Sequence, residues 1–293
     1  MHKPSIPRAV IDLYDAYTHV PLPRRVFLDR LALLMGSTAA AAALLPLLEN
    51  NYAHAEMVPE DDPALAVETA QAGALSVYVA KPAGVTVPLP AIVVIHENRG
   101  LNPHIKDVAR RAALAGYIAI APDYLSADGT PTPADEDQAR DEIGALDPAQ
   151  TLENGLAVLQ YARAGREDVD GRVGVVGFCW GGAQVNSLAV NDPDLDAAVA
   201  FYGRQPASDD AAKIQAALML HYAENDEGVN AGIEAYTQAL GAAGIPFEMH
   251  MYEGAEHAFH NDTNAARYDE AAAALAWQRT MMFFDQHLKS DEG

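Results

Sequence analysis

The stretch "VGVVGFCWGG", residues 173 to 182, holds the single cysteine of a 293-residue chain. Gly177-Phe178-Cys179-Trp180-Gly181 fits the pattern G-x-S-x-G with cysteine in place of serine, a turn that lifts a nucleophile from the end of a strand onto the start of a helix. Glycine is needed two residues before and two after, because the two backbones meet there and leave no room for side chains. At the apex the amide of Trp180 and the amino end of the following helix would face a developing oxyanion and favour thiolate over thiol. Taken alone, the pentapeptide also suits a small buried cysteine in a strand-to-helix bend.

Two later stretches decide between these readings. "LHYAENDEGV" offers Glu224, Asp226 and Glu227, and "MYEGAEHAFHND" offers His257 and His260. Nucleophile, acid, then histidine is the chain order of a hydrolase triad on a parallel sheet. His257 can take the proton of Cys179 while Asp226 fixes the tautomer and stabilises the imidazolium. Glu224 and Glu227 read as solvated carboxylates. His257 and His260 lie three apart in a loop with no third ligand nearby in sequence, so no metal site is expected. One cysteine also excludes an intramolecular disulfide and a four-thiolate zinc site.

These residues need a frame. Apolar, β-branched runs at 75–79, 91–96, 117–121, 173–178, 197–202, 217–222 and 247–252 predict strands. Helical patterns are expected at about 104–115, 149–164, 182–191, 231–243 and 265–288, and "TPTPADEDQ" at 130–138 as a polar loop. Alternation of nearly continuous apolar strands with helices predicts an α/β fold whose mostly parallel central sheet is covered on both faces. In such a sheet ligands gather beyond the carboxyl ends of the strands, where "HENRG", "PDY", "FCWGG", "YGRQ", "HYAEND" and "EGAEHAFHND" fall.

Composition narrows the partners. Half of the residues are hydrophobic, and 19 Lys plus Arg face 41 Asp plus Glu for a net charge of −22. Such a chain builds a globular core and repels nucleic acid and anionic lipid. Residues 1–55 differ from the rest: "PRRVFLDRLALLMGSTAAAAALLPLL" sets Arg24 and Arg25 before an almost uncharged run, and Ala53-His54-Ala55 follows as a small-x-small site. This resembles a twin-arginine export signal and predicts a periplasmic or secreted protein with a mature domain over 56–293. The alternative is an N-terminal helical extension that packs on the domain of a cytoplasmic protein. A stable membrane span is not expected, since the apolar run is short and contains Pro46. Homo-oligomerisation is left open.

"GFCWGG", "HYAENDEGVNAGIEAY" and "GAEHAFHND", with "VVIHENRGLNPHIKDVARRAALAGY" upstream, resemble the dienelactone hydrolase family, the carboxymethylenebutenolidase-type α/β-hydrolases with a Cys-Asp-His triad, from about residue 68 to 288. The resemblance implies an α/β-hydrolase fold and hydrolysis of a small ester or lactone without a cofactor. It implies Cys179 as nucleophile, Asp226 as acid, His257 as base, and oxyanion donors from the backbone of Asn98 and Trp180. Glu97 would contact the resting thiol until substrate displaces it, and a carboxylate there would suppress stray thiolate and oxidation. The family's two carboxylate-binding arginines correspond to about Ala127 and Asn261, neither of which carries charge. Arg204 and Arg99 are the candidate replacements, and Tyr124 of "PDY" is a further substrate-side candidate. The readings from other classes are a non-catalytic binding protein on the same fold and a thiol-based redox sensor, which would need an external thiol partner.

Overall fold

The computed structural model of the chain describes residues 6–19, 22–52 and 56–289. Eight strands form one sheet: β1 (Leu65–Ala72), β2 (Leu75–Pro82), β3 (Leu89–Ile95), β4 (Ile118–Pro122), β5 (Val169–Phe178), β6 (Ala197–Phe201), β7 (Ala217–Asn225) and β8 (Phe247–Glu256). Their spatial order is β1-β2-β4-β3-β5-β6-β7-β8. β1 and β2 join antiparallel at one edge. The remaining six run parallel, so all their carboxyl ends open on one side. The inner parallel strands β3 to β7 are largely buried and apolar because helices cover both faces, while β8 at the edge is largely exposed. Helices Pro148–Ala164, Trp180–Asn191 and Ile233–Ala243 pack on one side, and Pro103–Leu114 and Glu270–Leu288 on the other. Fully buried side chains such as Phe178 and Phe284 each stabilise the fold by about 2–3 kcal/mol relative to exposure.

All seven expected strands form. β1 was not expected: in "LAVETAQA" only Ala72 is buried, as befits an edge strand whose pairing is set by the tight turn to β2 rather than by a buried face. The loop expected at 130–138 ends early, because Asp135 caps a helix over Glu136–Ala145 by accepting from the amides of Asp137 and Gln138. The last helix starts at Glu270 and not at 265, again at a cap, Asp269 accepting from Ala272.

The N-terminal residues build three more helices, Arg8–His19, Arg24–Met35 and Thr38–Leu48. In the first, Val10, Tyr14 and Tyr17 recur at helical spacing and are buried. They join Phe27, Leu31, Ala41 and Leu48 in an apolar cluster that reaches Ala266 of the domain, with Tyr17 stacked on Phe27 at 4.4 Å. Gly36, at φ 74°, ends the second helix and Ser37 caps the third, so the two meet at 114°. Among the described residues no single helix is long and apolar enough to cross a membrane, although this bent pair would suffice by length and composition. Backbone bonds from Asn51 to Thr263 (2.8 Å) and from Ala266 to Leu47 (3.0 Å) fasten this arm to the loop after His257. Asn264 Nδ2 adds a bond to the carbonyl of Leu48 (2.6 Å). Ala53-His54-Ala55 lies outside the described residues.

Candidate active site

β5 runs directly into helix Trp180–Asn191 through Cys179, whose φ of 54° and ψ of −112° no ordinary strand or helix adopts. The flanking glycines make that turn feasible. A Cβ on Gly177 would land on the carbonyl of Gly181, and one on Gly181 would sit 2.5 Å from the carbonyl oxygens of both Ile95 and His96. The elbow therefore presses on the end of β3, which brings the Cys179-Trp180 step beside the His96-Glu97-Asn98 segment. Gly181→Ala is expected to destabilise the folded chain by about 2–4 kcal/mol, read as a lower urea midpoint. An unchanged midpoint would show that this approach is looser than described.

Asp226 follows β7 and His257 follows β8, adjacent strands of the sheet. The Nδ1 of His257 lies 2.6 Å from Oδ2 of Asp226, and both side chains are buried. The other Asp226 oxygen accepts from the amide of Val229 (3.3 Å), which fixes the carboxylate. Burial opposes the imidazolium, but the charge and hydrogen bond of Asp226 outweigh it and raise the pKa of His257. The imidazole offers a ring nitrogen within 4.8 Å of the Cys179 sulfur. Strain gathers here, since Tyr202 (φ 36°) and Ala258 (φ 63°) are, with Cys179, the non-glycine residues of positive φ among the described ones.

The neighbour of the thiol was not foreseen. His19, the last residue of the first helix, places Nε2 3.3 Å from Cys179 Sγ and 3.1 Å from His257 Nε2. The position at the thiol expected for Glu97 is thus taken by a histidine of the arm. Glu97 is instead held by Asn261 Nδ2 (2.7 Å) and by the Tyr202 hydroxyl (3.3 Å). Asn261, read from sequence as a lost arginine, is a buried anchor for that carboxylate. The His19 Nδ1 lies 2.8 Å from the carbonyl of Asp15 and 3.3 Å from its carboxylate. Burial and His257 oppose its charge, while Cys179 and Asp15 favour it, and the pKa rises to about 9. Asn98 donates its side-chain amide to the carbonyl of Thr18 (2.6 Å) and so grips the arm beside His19. One sequence signal could have shown this helix, the 10-14-17 spacing of Val10, Tyr14 and Tyr17.

Beyond Cys179 opens a cavity of about 640 Å³ lined by Trp180, Ala183, Ile143 and Val229, with Leu22 and Pro23 from the arm. Arg204 and Arg140 reach its wall. Arg140, missed in the sequence, is tied to Asp137 and Asp141. Arg204 is exposed and, among the described residues, no carboxylate pairs with it. Arg99 is buried and bonded to the carbonyl of Glu136 (3.1 Å), and it lines not this cavity but a small polar pocket beside Cys179 and His257. Tyr124 is buried with its ring edge-on to Trp180 at 5.1 Å, so it supports the cavity wall from behind. These placements leave Arg204 as the candidate for contact with an anionic group.

A model of the dienelactone hydrolase family matches residues 75–288. The chain belongs to the dienelactone hydrolase family. An Escherichia coli K12 relative described as a "putative carboxymethylenebutenolidase" is 35% identical over 224 residues, covering 72% of this chain and 82% of its own. The crystal structure of a "putative dienelactone hydrolase" from Klebsiella pneumoniae superposes with a TM-score of 0.69 at 31% identity, covering 76% of this chain and 99% of that one. A thermostable esterase from Pseudomonas putida shares the fold, with a TM-score of 0.65 at 19% identity over 99% of this chain and all of its own. The chain is a dienelactone hydrolase-like hydrolase on an α/β-hydrolase fold. His19 lies before the residues that the family model matches.

Proposed function

We propose that this dienelactone hydrolase-like protein opens an ester or lactone through a thioester on Cys179. The observation that carries the reading is the Asp226–His257 bond of 2.6 Å on adjacent strand ends, with the same imidazole offering a ring nitrogen within 4.8 Å of a thiol on a strained elbow. In the first half of the cycle His257 takes the thiol proton and sulfur attacks the carbonyl. The amides of Trp180 and Asn98 hold the oxyanion, and the alkoxide leaves with the proton from His257. Water activated by His257 then cleaves the thioester and restores the thiol. Because His19 occupies the space between the two reacting atoms, its ring must swing aside for a substrate carbonyl to reach sulfur. A panel of lactones and short aryl esters, followed by intact-mass detection of an acyl adduct on Cys179, tests the reading. Turnover without any Cys179 adduct, even on rapid quenching, would refute the thioester. No turnover of any member would favour the non-catalytic or redox alternatives.

For residues 1–55 the proposed role is twin-arginine export to the periplasm, the paired Arg24-Arg25 before the apolar run being the support. Fused to a reporter that reaches the periplasm only by that route, Met1–Ala55 is expected to export it, and lysine at positions 24 and 25 to stop it. A reporter that stays inside would favour the retained helical extension, which the packing on Ala266 suits.

A further inference from the structure

Three ligand atoms from three distant parts of the chain converge above the elbow: Nε2 of His19, Sγ of Cys179 and Nε2 of His257, all within 4.8 Å of one another. Both imidazoles commit Nδ1 elsewhere. That of His257 donates to Asp226 (2.6 Å), and that of His19 donates to the Asp15 carbonyl (2.8 Å). Each Nε2 therefore turns its lone pair on the other, and on sulfur, unless a cation stands between them. A proton can be that cation, and so can a metal. Around a tetrahedral zinc ion, with nitrogen at about 2.0–2.1 Å and sulfur at about 2.3 Å, the N···N and N···S edges are roughly 3.4 and 3.6 Å. Two of the three edges, at 3.1 and 3.3 Å, lie within a few tenths of an ångström of that, and the third, from His257 to sulfur, is within 4.8 Å. The Asp226 carboxylate and the Asp15 carbonyl behind the rings are the outer partners that ligating histidines use. One sulfur with two imidazoles suits zinc over magnesium or calcium.

We propose that, in the chain that keeps residues 1–55, His19, Cys179 and His257 form a three-ligand site for a zinc-class divalent ion, whose fourth position faces the cavity and takes water or a small anion. Binding releases the thiol proton, and any proton shared at Nε2, to solvent, and the metal takes the freed lone pairs. No bond to carbon is involved. The ion pins the arm over the elbow and engages both the sulfur and the base, so an occupied site is a silent one. Only this last consequence rests on the proposed hydrolytic cycle. Sequence spacing gave no sign of the site because the third ligand stands 238 residues from His257.

The test uses the full chain, stripped of metal and titrated with Zn²⁺ against a chromophoric chelator. Co²⁺ in a parallel titration reports thiolate ligation through its near-ultraviolet charge-transfer absorption. One ion per chain is expected, with the cobalt band lost in Cys179→Ser. His19→Ala is expected to weaken zinc binding by at least roughly tenfold, and His19→Cys, which restores a donor, to recover most of it. Absence of stoichiometric binding at micromolar zinc would overturn the site, as would equal affinity in wild type and His19→Ala. Zinc that binds as expected to a chain that shows no turnover even when metal-free would leave the site standing and sink the hydrolytic reading alone.

Discussion

Cys179→Ala is expected to lower ester or lactone turnover by about 10⁴-fold or more, and His257→Ala by a similar factor, because nucleophile and base act as one unit. The Cys179→Ala/His257→Ala double variant is then expected to be scarcely worse than either single change. Initial rates on the best substrate of the panel, with circular dichroism to verify the fold, make the comparison. Cys179 sits on a turn built by Gly177 and Gly181 rather than by its own side chain, and among the described residues its Sγ makes one hydrogen-bond contact, to His19. Loss of the thiol should therefore leave the fold intact. A folded Cys179→Ala that keeps a tenth of wild-type activity would remove the cysteine from the chemistry, and purely additive losses in the double variant would separate His257 from it.

The second large effect concerns selectivity. Arg204 follows β6, and its carbonyl is anchored by Asn186 Nδ2 (2.8 Å) on the helix that starts at the elbow. Arg204 lines the wall of the cavity. A charge-assisted contact of this kind is worth about 2–3 kcal/mol, or roughly 30- to 200-fold in kcat/KM. Arg204→Met is expected to impair carboxylate-bearing lactones by that factor and to leave neutral aryl esters almost unchanged. Equal losses on both classes would make Arg204 structural, and no loss on either would point to a neutral natural substrate.

The parts of this design that obey local rules could be read from the chain. The parallel strands announce themselves as β-branched runs, and the elbow glycines as a fixed pattern, because each is dictated within a few residues. Asp226 and His257 were legible from chain order, since the sheet itself makes β7 and β8 neighbours. The rest depended on contacts that span the chain. His19 is one histidine on an amphipathic helix, and its meaning lies in how the arm docks through Asn51, Leu47 and Leu48. Glu97 was placed at the thiol by resemblance. It turns instead to Asn261 and Tyr202, a pairing across 164 and 105 residues that no local pattern encodes. Arg99 was an arginine at a strand end like Arg204, and only the helix over Glu136–Ala145, hidden in an acid-rich stretch, decides that it is consumed internally.

Thr18, His19, Leu22 and Pro23 form part of the cavity's rim. All four lie ahead of the segment shared with the family, which begins at residue 75. The walls of the cavity are thus drawn from two parts of the chain: the sheet domain brings Cys179 and His257, and the N-terminal arm brings a portion of the rim. Substitutions in this arm can therefore reshape the rim of the cavity while leaving every strand end as it was.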